Sequence, residues 1–193
     1  MLAVGVAAAA ALGGFALSSR GAPAGSRPLP SWGVFNETEW ATVGQRAATL
    51  GFASATMQVV AATPKQDGTP FALVGATSTA GRTCFIPVRG ISLGQPICRL
   101  TKPLVIFTIP DRVPSGTGAT VPAMDIIGLA RHDVTSLIAD SISNGRQFEQ
   151  GEPLLPAAGA WAFGSRYQGI SQFVARNGAG RVVATTSVTA LSP

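Results

Sequence analysis

Residues 171–186 read SQFVARNGAGRVVATT, and this stretch decides the fold class. Its two ends carry small and β-branched side chains, and the glycine-bearing sequence Asn177–Gly180 between them is typical of a hairpin loop. If these four residues form the loop, Arg176 faces Arg181 and the two ends pair as antiparallel strands. This register pairs Ala175 with Val182, Phe173 with Ala184 and Ser171 with Thr186, and it puts Phe173, Ala175, Val182 and Ala184 on one apolar face. Two strands that agree on one apolar face indicate an antiparallel sheet with a buried side.

A second hairpin is predicted just upstream, around Asn144-Gly145. This dipeptide suits a type I′ turn, because both central residues of that turn need positive φ. The flanking strands are predicted at 134–142 and 146–150. Residues 124–130 and 161–163 supply two further apolar strands.

The C-terminal third resembles uncharacterised exported β-rich domain proteins of high-GC actinobacteria. In that pattern a glycine and an Asp-Val open a strand, a Gly-Arg turn follows, and a Gly-Arg hairpin closes the domain. The matching residues here are Gly128, Asp133-Val134, Leu137, Gly145-Arg146, Trp161-Ala162-Phe163, Phe173-Val174-Ala175 and Gly180-Arg181-Val182. The resemblance implies an exported β-rich fold, and it brings no activity and no site residue with it.

The composition favours a basic but dispersed surface. Charged residues make up 12% of the 193 residues, and the formal net charge is +5. Such a balance can favour anionic envelope polymers, lipid headgroups or nucleic acid. The arginines are scattered singly, and no Lys/Arg cluster or nucleic-acid motif accompanies them, so we expect no nucleic-acid partner.

The N-terminus predicts export. Residues 2–17 form an uninterrupted run of apolar and small side chains, shorter than the about 20 residues of a full membrane span and typical of a signal peptide. Ala22-Pro23-Ala24 offers a cleavage site, but no basic residue precedes the run, so an uncleaved anchor stays open. We therefore predict a signal peptide or N-terminal membrane anchor at 1–24, a flexible tether at 25–35 and a single β-rich domain at 36–193.

One short helix is predicted at the start of this domain. Asn36 can cap it, and Glu39 three residues later completes a capping box. The apolar stripe that follows consists of Trp40, Val43, Ala47 and Leu50, and Gly51 ends the helix.

A β-meander is predicted after the helix. Its strands are 52–63 and 71–79, separated by a turn on Asp67-Gly68 and followed by a turn at 80–82. Residues 104–107 predict a buried strand, whereas 111–122 and 151–159 are rich in turn-forming residues and predict loops, the second of which could carry a lid or a binding edge.

Cys84 and Cys98 are the two cysteines of the chain. If 83–88 and 94–100 form a hairpin, the two residues face each other across it, at a Cα separation that suits a disulfide. Two cysteines with a single histidine cannot supply four zinc ligands, and no C-x-x-C redox motif is present. We therefore predict a structural disulfide, which also favours an oxidising compartment, on a hairpin that Pro87 and Pro96 place at a sheet edge.

No catalytic arrangement is evident. His132, the single histidine, is followed by Asp133, but neighbours along a strand point to opposite faces and cannot cooperate. Ser165, Arg166 and Tyr167 are interpreted as a polar turn, because the glycine that a nucleophile elbow needs after the serine is missing.

The remaining acidic residues give no further signal. Glu149 and Glu152 are the closest pair late in the chain, but one is interpreted as outward on a strand and the other as loop. Asp133, Asp140 and Glu149 have no metal-binding spacing. We therefore assign no catalytic, metal or cofactor residue.

These observations predict a mainly β fold, an antiparallel sandwich or open barrel of seven to ten strands with one short N-terminal helix. The expected function is that of an exported or membrane-tethered, non-catalytic domain at the outer face of the plasma membrane or outside the cell. Its partner is unknown, with a cell-envelope polymer or a membrane protein as candidates. Two alternatives stay open: a sensory or accessory ectodomain of a larger membrane system, and a secreted hydrolase with an unrecognised motif.

Overall fold

The computed structural model describes residues 33–188, apart from 64–67, 115–117, 119, 144–145 and 168. The predicted signal peptide or anchor at 1–24 lies outside the described residues, as do most of the predicted tether and the Asn144-Gly145 turn itself. None of the helical residues described forms a segment with the length and hydropathy needed to cross a membrane.

The described residues form one α-helix and twelve β-strands in three four-stranded antiparallel sheets. The helix α1 spans Glu37–Thr49. Sheet A has the order β1-β2-β3-β4, with β1 at Phe52–Ala62, β2 at Phe71–Ser78, β3 at Thr83–Arg89 and β4 at Ser92–Leu93. Sheet B combines β5 (Leu104–Pro114), β6 (Thr120–Arg131), β10 (Ala160–Tyr167) and β9 (Leu155–Ala157), in that order. Sheet C has the order β12-β11-β7-β8, with β7 at Val134–Ser143, β8 at Arg146–Gly151, β11 at Ile170–Asn177 and β12 at Val182–Ser187.

Three apolar clusters stack these elements into four layers. The first joins α1 to one face of sheet A, the second joins the other face of sheet A to sheet B, and the third joins sheet B to sheet C. The mainly β fold with packed sheets and one short N-terminal helix is thus confirmed, with twelve strands where seven to ten were expected.

Helix α1 begins at the predicted cap. The side chain of Asn36 accepts from the Glu39 N–H, and the Glu39 side chain accepts from the Asn36 N–H, each at 2.8 Å. Phe35, just before the cap, packs against Trp40 with ring centroids 5.4 Å apart, which fixes the entry of the chain into the helix. Val43 and Ala47 are fully buried, but Leu50 is 54% exposed because it is the C-cap residue and has left the helical stripe.

Strand β6 is the centre of the molecule. Residues 123–130 are all buried, because sheet A covers one face of the strand and sheet C covers the other. Apart from Asp125 the run is apolar or small, the pattern typical of a strand covered on both faces. The strand predicted at 124–130 is therefore confirmed, as part of a longer one.

Two glycines of sheet B leave room for close contacts, one with sheet A and one within sheet B. A Cβ on Gly164 would lie 2.6 Å from the Ala62 carbonyl oxygen of sheet A. On the other face, a Cβ on Gly128 would lie 2.3 Å from the ring of Phe163, its direct partner on β10. Glycine is needed at both positions because real side chains do not tolerate such contacts.

The C-terminal hairpin exists, but its predicted register is wrong. Ala175 pairs with Ala184 and Phe173 with Thr186, and a bulge separates these pairs from Arg176 opposite Val182. The Asn177 N–H donates to the Arg181 carbonyl, so the loop has three residues where four were expected. Phe173 and Ala175 are fully buried as predicted, whereas the bulge turns Val182 outward, leaving it 51% exposed.

The hairpin around Asn144-Gly145 has the expected register. Ser143 pairs with Arg146, as a two-residue turn requires. Phe148 of β8 is 52% exposed because β8 is the edge strand of sheet C.

Three segments interpreted as loop or turn are strand. Residues 111–114 continue β5 and 120–122 open β6, and β9 lies within the predicted loop 151–159. The proline-rich end of β5 is tolerated because β5 is the edge strand of sheet B, where a missing N–H breaks no ladder. Residues 165–167 belong to β10, with every residue paired to β6. Conversely, His132 and Asp133, expected on a strand, form the turn between β6 and β7.

Candidate binding groove

An open groove with a volume of about 330 Å³ lies where the edges of sheets A and B meet. Its lining is mostly apolar and consists of Phe71, Pro87, Arg89, Ser92, Leu93, Gly94, Phe107, Thr108 and Ile109. This volume and this mixture of aromatic, aliphatic and few polar side chains are typical of ligand sites.

The groove follows two strand edges. Three consecutive residues of β5, 107–109, line it on one side, and the consecutive residues 92–94 line it on the other. Consecutive residues of a strand point to opposite faces, so a cavity that touches all of them runs along the edge of the strand. Among the described residues, β4 and β5 are the outer strands of their sheets, so each has one edge without a neighbouring strand in its sheet.

The disulfide fastens the β4 side of the groove. Strand β4 pairs with β3 at two positions, and the following chain returns to β3 through reciprocal bonds between Phe85 and Ile97, of 2.9 and 2.8 Å. One residue further, the structure joins Cys84 to Cys98 at the directly opposed positions expected, with Cα atoms 4.0 Å apart. In the chain-entropy account, a cross-link closing such a loop contributes about 3 kcal/mol.

A small cavity adjoins one end of the groove. Its volume is about 20 Å³, and it shares Phe71, Arg89 and Ile109 with the groove while adding Thr69, Pro110, Asp111 and Asp125. The exposed Arg89 therefore lies where the apolar groove meets a polar pocket of about the size of a water molecule. Among the described residues, Arg89 is in no salt bridge.

The two acids of the small cavity are engaged by Arg166 of β10. Arg166 Nε lies 2.6 Å from Asp125 Oδ1 and Nη2 lies 2.9 Å from Asp125 Oδ2, a bidentate pair across directly opposed strand positions. Nη2 is also 2.9 Å from Asp111 Oδ2, without the alignment of a hydrogen bond. The side chains of Arg166, Asp125 and Asp111 are 13%, 11% and 19% exposed. This triad links the three strands β5, β6 and β10 of sheet B.

Another carboxylate is buried on the opposite face of β10. Glu152, in the connection from β8 to β9, accepts from the hydroxyl of Tyr167 and, at 2.5 Å, from that of Ser165. Burial raises the pKa of the Glu152 carboxyl, and the hydrogen bond from Ser165 opposes this rise. The backbone N–H of Glu152 donates to the Leu137 carbonyl at 2.8 Å, so this residue also attaches the β8–β9 connection to sheet C.

The residues considered for catalysis do not assemble. Asp133 pairs with Arg131 through two bonds of 2.6 and 2.7 Å, and this hydrogen bonding lowers the pKa of the Asp133 carboxyl. His132 is exposed in the same turn, and its carbonyl accepts from the Trp161 ring N–H at 3.4 Å. His132 and Ser165 are both absent from the lining of the groove.

The acids considered for metal binding are also apart. Glu149 is exposed on β8, whereas Asp140 is buried and accepts from the Gln172 amide at 2.7 Å. Within the described ranges, no three His, Cys, Asp or Glu side chains are grouped as a metal site would need.

Sequence reasoning missed the groove and both buried acid clusters. Arg89 was one of many scattered arginines, and Asp111 fell in a predicted loop. A signal was present at Asp125, a single charge inside an apolar strand. No protein-family model, curated protein or solved structure matches the chain.

Proposed function

We propose that this chain is an exported or membrane-tethered, non-catalytic β-domain that binds a partner or envelope component in the groove between β4 and β5. The groove carries the proposal. It is concave and largely apolar, it is bounded by two open strand edges, and Arg89 at its end is in no salt bridge among the described residues. These features suit recognition, because apolar contacts supply affinity while a few polar groups fix the orientation of the ligand.

Export is supported by the disulfide and by the leader-like N-terminal sequence. A Cys84–Cys98 bond that fastens the wall of a binding site is useful where disulfides persist, outside the reducing cytosol. The sensory or accessory ectodomain is a form of the same proposal, since it would use the same groove. The hydrolase alternative gains no support, because the lining of the groove contains neither a histidine nor a carboxylate that could serve as a base.

Site-specific photocrosslinking tests the groove. A photoreactive amino acid replaces Thr108, which is exposed and lines the groove, or the exposed Thr135 of β7 as the matched control. After illumination with an extract of the cell envelope, we expect adducts from position 108 and not from position 135. Adding Leu93→Asp, which puts a charge into the apolar lining, should remove them. Equal adducts at both positions, no adduct at 108, or adducts that persist with Leu93→Asp would contradict the proposed site.

Cell fractionation with intact mass spectrometry tests export. We expect the protein outside the cytoplasm, with the two cysteines resistant to thiol alkylation before reduction. Loss of mass up to Ala24 would identify a cleaved leader, and retention of residues 2–17 in the membrane fraction would identify an anchor. Free thiols in a cytoplasmic protein would refute the proposed location.

A further inference from the structure

We propose that the occupant of the groove is the C-terminal end of an extended peptide, which pairs as an added strand with the open edge of β5 and places its terminal carboxylate at Arg89. This inference rests on the proposed binding function of the groove and names its ligand class.

The edge of β5 offers the hydrogen-bonding groups that such a strand needs. β5 spans Leu104–Pro114 and pairs with β6 along its whole length, which leaves its other edge without a neighbouring strand in the sheet. The two prolines of the strand are Pro110 and Pro114, so residues 104–109 keep all their backbone donors. Because the groove touches 107, 108 and 109 in succession, it gives access to this edge. A peptide that adds to an open edge gains main-chain hydrogen bonds, and pockets take its alternate side chains.

The apolar lining provides such a pocket. Phe71, Leu93 and Phe107 contribute aromatic and aliphatic surface between the two edges. Three strand residues span about 10 Å, so the groove matches a peptide segment of about three or four residues with one or two apolar side chains.

Arg89 determines the charge of the ligand. Arg89 lines the groove and is in no salt bridge among the described residues, whereas Asp111 and Asp125, which line the adjoining cavity with it, are already engaged by Arg166. The free charge at this end is therefore positive, and a carboxylate complements it with charge-assisted hydrogen bonds.

The end of the groove favours a chain terminus over an internal acidic side chain. Beyond Ile109 the edge continues as Pro110, which has no N–H to donate, and then as the acidic Asp111. The space beyond Arg89 is the cavity of about 20 Å³, enough for a water molecule and too small for a further residue. A peptide that ends at Arg89 thus runs parallel to β5, with its last apolar side chain near Ile109.

Binding of matched tetrapeptides to the full, oxidised chain tests this inference. The probes are pools of acetyl-Thr-Xaa-Thr-Xaa, in which Xaa is Val, Ile, Leu or Phe, carrying either a free carboxylate or a carboxamide at the C-terminus. A third pool, acetyl-Thr-Xaa-Glu-Xaa-amide, carries its carboxylate inside the peptide. Affinity is measured by titration, and the site is located by NMR shifts of the backbone amides of residues 105–109.

We expect the free-carboxylate pool to bind about ten times more tightly than either amidated pool, as a hydrogen-bonded charge implies, and to shift the 105–109 amides. Arg89→Gln should lower its affinity to that of the amides, while Arg82→Gln, at an exposed turn residue, should leave it unchanged. Equal affinity of all pools, or of Arg89→Gln and the native protein, would reject the terminal carboxylate. If no pool shifts these amides while the crosslinks at position 108 persist, the peptide ligand is rejected and the binding groove is retained. If neither the amide shifts nor the crosslinks are observed, both the peptide ligand and the binding function of the groove are rejected.

Discussion

Strand β10 has buried carboxylates on both of its faces, but the groups that bind these carboxylates differ. Towards sheet A, Arg166 holds Asp125 and Asp111, so charge is met by charge. Towards sheet C, Ser165 and Tyr167 hold Glu152 with hydroxyl groups alone. Adjacent residues of one strand thus bind carboxylates in two different layers. A guanidinium compensates the charge of a buried carboxylate, whereas hydroxyls leave the buried Glu152 carboxyl with a raised pKa.

Removing the Arg166 side chain should cause the largest loss in the free energy of unfolding. Replacing Arg166 by Met leaves two carboxylates buried without a cation, and breaking such a pair typically costs about 3–5 kcal/mol of the free energy of unfolding. Urea denaturation at neutral pH measures the loss. The matched control is Arg181→Met, at an exposed position of the last hairpin. A loss below about 1 kcal/mol for Arg166→Met, the upper range of surface ion pairs, would mean that the triad behaves as a surface pair.

Removing a hydroxyl that binds Glu152 should lower the free energy of unfolding by a smaller amount. Tyr167→Phe removes one of the two donors to Glu152 and leaves a buried carboxylate oxygen without it, which costs about 1–3 kcal/mol. Thermal or urea unfolding gives the value, with Thr135→Val as a control for hydroxyl loss at an exposed site. If Tyr167→Phe is as stable as the native protein, the hydroxyl does not compensate the carboxylate.

The smallest expected effect is the pH dependence that Glu152 contributes to the stability of the protein. Because the folded-state pKa of Glu152 is raised above its ordinary value of 4.5, the stability that this group contributes is full below that value and is lost as the pH rises through the raised pKa. The free energy of unfolding of the native protein minus that of Glu152→Gln should therefore fall as the pH increases from about 4.5.

Urea titrations between pH 4 and 8 measure this difference. Glu149→Gln, at an exposed position of β8, should show no comparable slope. A difference between native protein and Glu152→Gln that is constant, or that grows with pH, would contradict the raised pKa.

The parts of the fold that sequence reasoning predicted are those encoded locally. The capping box of Asn36 and Glu39 lies within one helical turn, and the pairing of Cys84 with Cys98 follows from the symmetry of a single short segment. The strand at 124–130 was also predicted, because its residues are apolar or small apart from Asp125. A strand that is apolar on both faces is typical of cover on both sides, but a third sheet was not predicted from it.

The parts that could not be predicted depend on which layers meet. Arg166 and Asp125 are 41 residues apart and meet only because β10 returns to pair with β6. The groove requires two strand edges from different sheets, and Asp111 reaches the adjoining small cavity on a strand end that its prolines had indicated as loop. Alternation predicts which side chains share a face, but the layer that covers that face is decided by contacts far along the chain.

The order of the strands has a consequence for how the chain acquires its structure. Sheet A is built from four consecutive strands, whereas the hairpins β5–β6, β7–β8, β9–β10 and β11–β12 go alternately to sheet B and sheet C. A chain that emerges N-terminus first can complete sheet A early, with Leu73 and Phe85 still facing water. Sheet B is complete only with β10 and sheet C only with β12, so premature termination between Arg131 and Ala160 removes strands from both.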